Sequence, residues 1–276
     1  MKLTLIGGAG IRAPLVIQSA LKRAEKIHLD EICLMDIDAH QLELIGKICQ
    51  LTVKQAASAV RLSFTTDARK ALEGADYVIT TIRVGKEKGR VLDERIALAH
   101  RVLGQETTGP GGFAMAMRSI PAIRYYAALM QEICPKAYMF NFTNPAGLVT
   151  QALRDSGFEK IVGICDGANG AQHSAARYLQ VPPESVRTRV FGLNHLSWSD
   201  SIQVNGKEML PRLLADEAFL KSSDMRVFEP SLVREIGLWM NEYLYYYYYA
   251  DQAVHSILAE RRTRGEEIME LNKNLI

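Results

Sequence analysis

Short apolar runs alternate with helical patterns along most of the chain. Residues 3–6 are apolar and stop at Gly7-Gly8-Ala9-Gly10, and a helical pattern follows over about 14–22. A second apolar run, Glu31–Met35, ends at Asp36-Ile37-Asp38 and leads into a helical stretch over about 40–60. Arg61–Thr65 reads as a strand, Ala68–Leu72 as a short helix, and 77–81 as a buried strand. Strands over 138–142 and 161–164 follow, then a helix over 167–179. Near-continuous apolar strands separated by helices predict a parallel sheet covered on both faces, an α/β class fold. In such sheets chemistry gathers at the carboxyl ends of the strands. Gly7, Asp36, Asn144 and Cys165 all fall at or just beyond predicted strand ends.

The texture changes after about Arg187. Residues 190–195 and 198–204 read as strands of a second region, Asn205-Gly206 is a hairpin turn signal, and the tail from 235 is helical in composition. The five tyrosines of 245–249 read as an aromatic helix packed between domains. The expected division is a nucleotide-binding domain over 1–186 and a mixed α+β substrate and metal domain over 187–276.

Composition narrows the partners. The formal charge is +2, from 33 basic and 31 acidic residues, with no long block of one sign, which argues against a nucleic-acid binder. Cys33, Cys49, Cys134 and Cys165 show no zinc or disulfide spacing. The N-terminus lacks a signal-peptide core, and no apolar run approaches a membrane span. A reducing, cytoplasmic setting with no membrane partner is the expectation.

Gly8-Ala9-Gly10-Ile11-Arg12-Ala13 fits G-x-G-x-x-A between a strand and a helix, and Asp36 ends the next strand. Small residues let the backbone approach a pyrophosphate at a helix N-terminus, and the acid suits ribose hydroxyls while repelling a 2′-phosphate. This pattern predicts a Rossmann-type doubly wound sheet holding NAD through Gly8, Gly10, Ile11 and Asp36.

More specific motifs follow in order. They are Ile82-Arg83-Val84-Gly85, Gly89-Arg90, Asp93-Glu94, Gly104-Gln105-Glu106-Thr107-Thr108-Gly109 and Asn141-Phe142-Thr143-Asn144-Pro145-Ala146. Gly163-Ile164-Cys165-Asp166 and Gly192-Leu193-Asn194-His195 complete the set. Together they resemble glycoside hydrolase family 4, the NAD-dependent exception to hydrolysis by two carboxylates. The resemblance implies a lactate/malate dehydrogenase-like fold and a glycosidase for 6-phosphoglucosides, β slightly ahead of α. It implies NAD and Mn²⁺ or another divalent metal as cofactors, a small phosphorylated glycoside as substrate, and a homodimer or homotetramer. The implied reaction oxidises C3 of the sugar, removes the C2 proton, eliminates the aglycone, adds water and returns the hydride.

By the same resemblance Cys165 and His195 are metal ligands and Tyr243 is the base at C2. Asp166 would protonate the leaving group and Glu106 would raise the basicity of the tyrosine. Arg83 would bind the cofactor, and Arg90, Asn144 and Arg264 the substrate, with a solvated helix face as the other reading of Arg264. Cys165-Asp166-Gly167-Ala168 departs from the Cys-Asp-Met-Pro of members acting on α-linked phosphosugars, which leaves the anomer and the role of Asp166 open. Family members continue past the position of Ile276, so the second domain is expected to be incomplete at its C-terminus. Open alternatives are a member acting on uronic acids or unphosphorylated glycosides, a 2-hydroxy-acid dehydrogenase, and a non-catalytic NAD-binding protein.

Overall fold

The structure is a computed structural model that describes residues 1–274. The first six strands are β1 (Lys2–Ile6), β2 (Glu31–Met35), β3 (Arg61–Thr65), β4 (Tyr77–Thr80), β5 (Tyr138–Asn141) and β6 (Ile161–Gly163). All pair in parallel, in the order β3-β2-β1-β4-β5-β6. That order reverses direction between β1 and β4, the switch point of a doubly wound sheet, where ligands bind beyond the strand ends. The helices are α1 (Ala13–Leu21), α2 (Ala39–Gln55), α3 (Ala68–Leu72), α4 (Lys86–Ala99), α5 (Gly109–Ile133) and α6 (Ala146–Asp155). Ile6, Val78, Met139 and Ile123 anchor a core on one side of the sheet, and Leu5, Leu34, Ile17 and Ile45 anchor the other. Apolar residues on both faces are why β1 and β2 read as unbroken hydrophobic runs.

The remaining elements are α7 (Gly170–Leu179), β7 (Val186–Leu193), β8 (Leu196–Val204), β9 (Lys207–Glu208), α8 (Leu210–Ala215) and α9 (Glu217–Ser222). They continue with α10 (Pro230–Ile236), β10 (Trp239–Met240), α11 (Tyr245–Tyr248), α12 (Ala250–Ala259) and α13 (Arg264–Lys273). Strands β10, β8 and β7 form a second, antiparallel sheet, with β9 paired to β8. Its core gathers Phe219, Trp239, Met240 and Ile202.

Contacts divide the chain elsewhere than the change of texture at 186/187. One compact unit comprises Met1–His100, Gly104–Ile164 and the segment from Arg262; the other comprises Arg101–Leu103 and Cys165–Arg261. The expected Asn205-Gly206 turn does join β8 to β9, with Val204 opposite Lys207. The tail is not continuously helical: Trp239 and Met240 add a strand to β8. Nor is the tyrosine run a buried helix, because Tyr247 and Tyr248 are exposed while Tyr245 and Tyr249 pack on the second core. None of the described helices is long and apolar enough to cross a membrane.

Candidate active site

In the first unit, the turn after β1 is built against β2. The Gly7 and Gly8 N–H groups both donate to the Met35 carbonyl at 2.9 Å. A Cβ on Gly8 would lie 2.8 Å from the Leu34 Cβ, so the position admits glycine alone. The third glycine, Gly10, is exposed, as is Ile11 beside it, and no side chain caps the first turn of α1. Asp36 at the end of β2 accepts the Ala9 N–H on one oxygen and the Asp38 N–H on the other, each at 3.1 Å. A close-packed glycine turn, an open helix start and a carboxylate at the next strand end fit a dinucleotide. The requirement for glycine at Gly8 comes from β2, however, whereas the sequence reading assigned it to a phosphate.

Beyond β4 lies a chain of alternating charges. Arg83 pairs with one oxygen of Glu106. Arg90 Nη1 donates to the other at 2.8 Å, and Arg90 Nε donates to Glu94 Oε1 at 2.7 Å. Glu94 Oε2 accepts the Gly265 N–H at 2.8 Å, which ties the start of α13 into the row. Arg90 is 6% exposed and Glu94 1%, so the row is a buried network of balanced charge. Arg83 and Arg90, expected on cofactor and substrate, are thus engaged with protein carboxylates, and Glu106 lies between two guanidinium groups. Arg264 is exposed and pairs with Glu267 one turn along α13, the arrangement of a solvated helix face. Glu94 belongs to the Asp93-Glu94 motif but has no role assigned from sequence; its signal is the Arg90–Glu94 spacing of four on a helix.

Asn144 stands half-buried in the turn after β5. Asn141, fully buried, organises that turn: Oδ1 accepts from Thr80 Oγ1 at 2.9 Å and the Thr143 N–H at 3.2 Å. Its Nδ2 donates to the Thr143 and Ala146 carbonyls, each at 3.3 Å.

In the second unit, Cys165 begins a 3₁₀ turn, Asp166–Asn169, and His195 stands in the loop between β7 and β8. Leu193 pairs with Leu196, so Asn194 and His195 form a two-residue hairpin loop, with His195 at φ 60°. The sequence reading had extended the strand through His195. Cys165 Sγ lies 3.3 Å from His195 Nε2. A first-row divalent ion bound about 2.3 Å from sulfur and about 2.1 Å from nitrogen separates such donors by roughly 3.1–3.6 Å at octahedral to tetrahedral angles. The pair fits one ion. Among the described residues no group of three or more His, Cys, Asp or Glu is placed to hold a metal. Burial raises the Cys165 thiol above its ordinary range, the Gly167 N–H opposes this, and the Asp166 carboxylate adds to it. A coordinated thiol is deprotonated outright.

The Tyr243 ring lies flat on the His195 ring, with centroids 3.7 Å apart and planes 7° from parallel. The Asp166 carboxylate is exposed, with Oδ1 3.8 Å from Cys165 Sγ. The second unit therefore brings Cys165, His195, Tyr243 and Asp166 together.

The Family 4 glycosyl hydrolase model matches residues 2–181, and that of the family's C-terminal domain matches 190–276. The chain is 35% identical to the 6-phospho-beta-glucosidase of Escherichia coli, over 90% of this chain and 58% of that one. It is 32% identical to the 6-phospho-alpha-glucosidase of Leptotrichia buccalis, over 97% and 64%. The 6-phospho-beta glucosidase of Thermotoga maritima, solved with manganese, NAD+ and glucose-6-phosphate, superposes with a TM-score of 0.91 at 28% identity, covering 100% of this chain and 67% of that one. The chain spans 58% to 65% of the length of the first curated relatives it matches. With both models aligned end to end along an α/β fold that carries the motifs in order, the chain belongs to family 4 of the glycosyl hydrolases.

Proposed function

We propose that this chain hydrolyses 6-phosphoglucosides, β-linked slightly ahead of α-linked, using NAD and a divalent metal. The observation that carries the reading is the Cys165–His195 pair at 3.3 Å with the Tyr243 ring stacked on the imidazole. In this reading Gly8, Gly10, Ile11 and Asp36 hold the dinucleotide, and Cys165 and His195 hold the ion, Mn²⁺ by the relatives' example. When bound, NAD⁺ supplies an oxidant for the C3–H bond and the ion supplies Lewis acidity beside the C2–H bond.

The chain's own residues do the rest. Tyr243 accepts the C2 proton. A phenol has a reference pKa near 10, and the positive charge of an ion held at His195 would favour the phenolate. Asp166, exposed beside Cys165, donates a proton to the departing aglycone oxygen. Asn144 and the remaining N–H groups of Arg90 bind the phosphosugar, and Glu106 holds Arg83 and Arg90 in place. Family resemblance further supports a cytoplasmic homodimer or homotetramer, and the near-balanced charge supports a small-molecule partner over nucleic acid.

The test is nitrophenol release from α- and β-linked nitrophenyl 6-phosphoglucosides, with and without NAD⁺ and Mn²⁺, under reducing conditions. Release that needs both, with no net NADH, is expected. Release without NAD⁺, or steady NADH accumulation, would overturn the reading, the latter in favour of a dehydrogenase.

A further inference from the structure

Three backbone segments of the second unit converge on Asn241. Its N–H donates to the Ser197 carbonyl at 3.0 Å, its Nδ2 donates to the Gly167 carbonyl at 3.2 Å, and its Oδ1 accepts the Tyr243 N–H at 3.0 Å. Ser197 is two residues beyond His195, Gly167 two beyond Cys165, and Tyr243 two beyond Asn241 itself. Asn241 is 6% exposed, so both ends of a buried amide are committed to this junction.

Gly167 gives independent support. A Cβ there would lie 3.2 Å from Asn241 Nδ2, 3.7 Å from Cys165 Sγ and 3.8 Å from His195 Cδ2. The absent side chain at Gly167 leaves room for the Asn241 amide beside the Cys165 turn. This is also the position where the chain departs from the Cys-Asp-Met-Pro pattern.

We propose that Asn241 is the positioning residue that sets Tyr243 against the Cys165–His195 pair, bracing the Cys165 turn with its amide N–H and the tyrosine with its carbonyl. The catalytic half of this rests on the glycosidase reading, and the metal half does not.

The experiment compares the full chain with Asn241→Ala, Asn241→Ser and Gly167→Ala. Co²⁺ alone is titrated and followed by thiolate-to-metal absorption, without NAD or substrate. At saturating Mn²⁺, kcat, KM and the isotope effect of deuterium at C2 are measured on a nitrophenyl 6-phosphoglucoside. Asn241→Ala should weaken Co²⁺ binding about tenfold, in line with loss of one buried hydrogen bond. It should also lower kcat about tenfold or more, leave KM within about threefold, and enlarge the isotope effect, because only proton removal is slowed. Serine still caps the Tyr243 N–H but is too short to reach Gly167. Asn241→Ser should therefore recover most of kcat and the normal isotope effect while its Co²⁺ binding stays weak. Gly167→Ala, which presses on the amide without removing it, should weaken Co²⁺ binding in a folded protein even where Asn241→Ala does not fold. Unchanged Co²⁺ affinity in Gly167→Ala or Asn241→Ala would overturn the bracing role. A loss of kcat that serine does not restore would overturn the selective hold on Tyr243. Absence of turnover in the wild-type chain would sink the glycosidase reading instead, and the Co²⁺ titration would still decide the role of Asn241.

Discussion

Replacing Glu94 with glutamine changes one atom in the most buried carboxylate of the charge row. Glu94 Oε1 accepts from Arg90 Nε at 2.7 Å and Oε2 accepts the Gly265 N–H at 2.8 Å. Both oxygens face donors, and glutamine offers one acceptor and one donor. Whichever way the amide turns, an N–H meets an N–H in a site 1% exposed. A lost hydrogen bond to a charged group costs about 1.5–3 kcal/mol, and a buried donor left unpaired costs about 1–3 kcal/mol. Arg90 keeps Glu106, so the full cost of stranding a buried charge, about 3–5 kcal/mol, is not reached. The expected loss is about 2–4 kcal/mol, or roughly 5–15 °C in Tm for a chain of this size. Urea unfolding followed by far-ultraviolet circular dichroism gives the loss directly, as a lower midpoint at unchanged slope. Glu267→Gln is the control, because the Arg264–Glu267 pair is exposed and should contribute no more than about 0.5 kcal/mol. A Glu94→Gln midpoint indistinguishable from that control would refute the account of the row as a tightly coupled buried network.

Tyr243→Phe and His195→Ala should each lower kcat at least about a hundredfold, measured by nitrophenol release, as expected for loss of a proton-transfer group or of a metal ligand; near-normal turnover in either removes that residue from the mechanism. Arg264→Ala should leave KM for the phosphosugar within about twofold and stability within about 0.5 kcal/mol, because the side chain is solvated and pairs only along its own helix; a large rise in KM would restore it to the substrate site. Glu266 is held below the ordinary glutamate range, chiefly by its hydrogen bond to Arg95. A depressed carboxylate stabilises the fold above its unfolded pKa, and that contribution is lost as pH falls through the depressed folded value. Amide exchange in α13 should therefore quicken as pH drops below about 4.3, after correction for the intrinsic rate, and Glu266→Gln should abolish the pH dependence.

β1 and β2 were legible because they are buried on both faces and so are spelled as apolar runs; both, and the largely exposed edge strand β3, fall within a residue of expectation. The long α5 was not assigned at all. It opens with Gly109-Pro110-Gly111-Gly112 and carries Pro121 inside, so local propensity argues against a helix that packing against α4 and α6 nonetheless sustains. His195 was taken into a strand because Gly192-Leu193-Asn194-His195 has no Gly in the loop pair to signal the turn; asparagine at the tip, followed by His195 at positive φ, does that work. The Cys165, His195 and Tyr243 cluster was legible only through the ordered motifs, since no spacing rule joins residues that far apart in sequence.

Motif residues at the candidate sites include two physical classes. Asp166 at the start of its 3₁₀ turn and Gly10 and Ile11 beside the uncapped start of α1 are exposed, and so are open to a ligand. Arg83, Arg90, Glu94 and Glu106 face one another in a row whose two positive and two negative charges cancel. A carboxylate between two guanidinium groups, as Glu106 is, presents little net negative potential. What it can do is hold two arginines at fixed positions without the flexibility of free surface side chains. That fixed placement is a reason to keep a buried charge row that an apolar core could replace at equal stability. Arg90, Glu94 and Glu106 are accounted for by pairing within the network, and each acid in it is understood through the arginine it faces before any ligand is invoked.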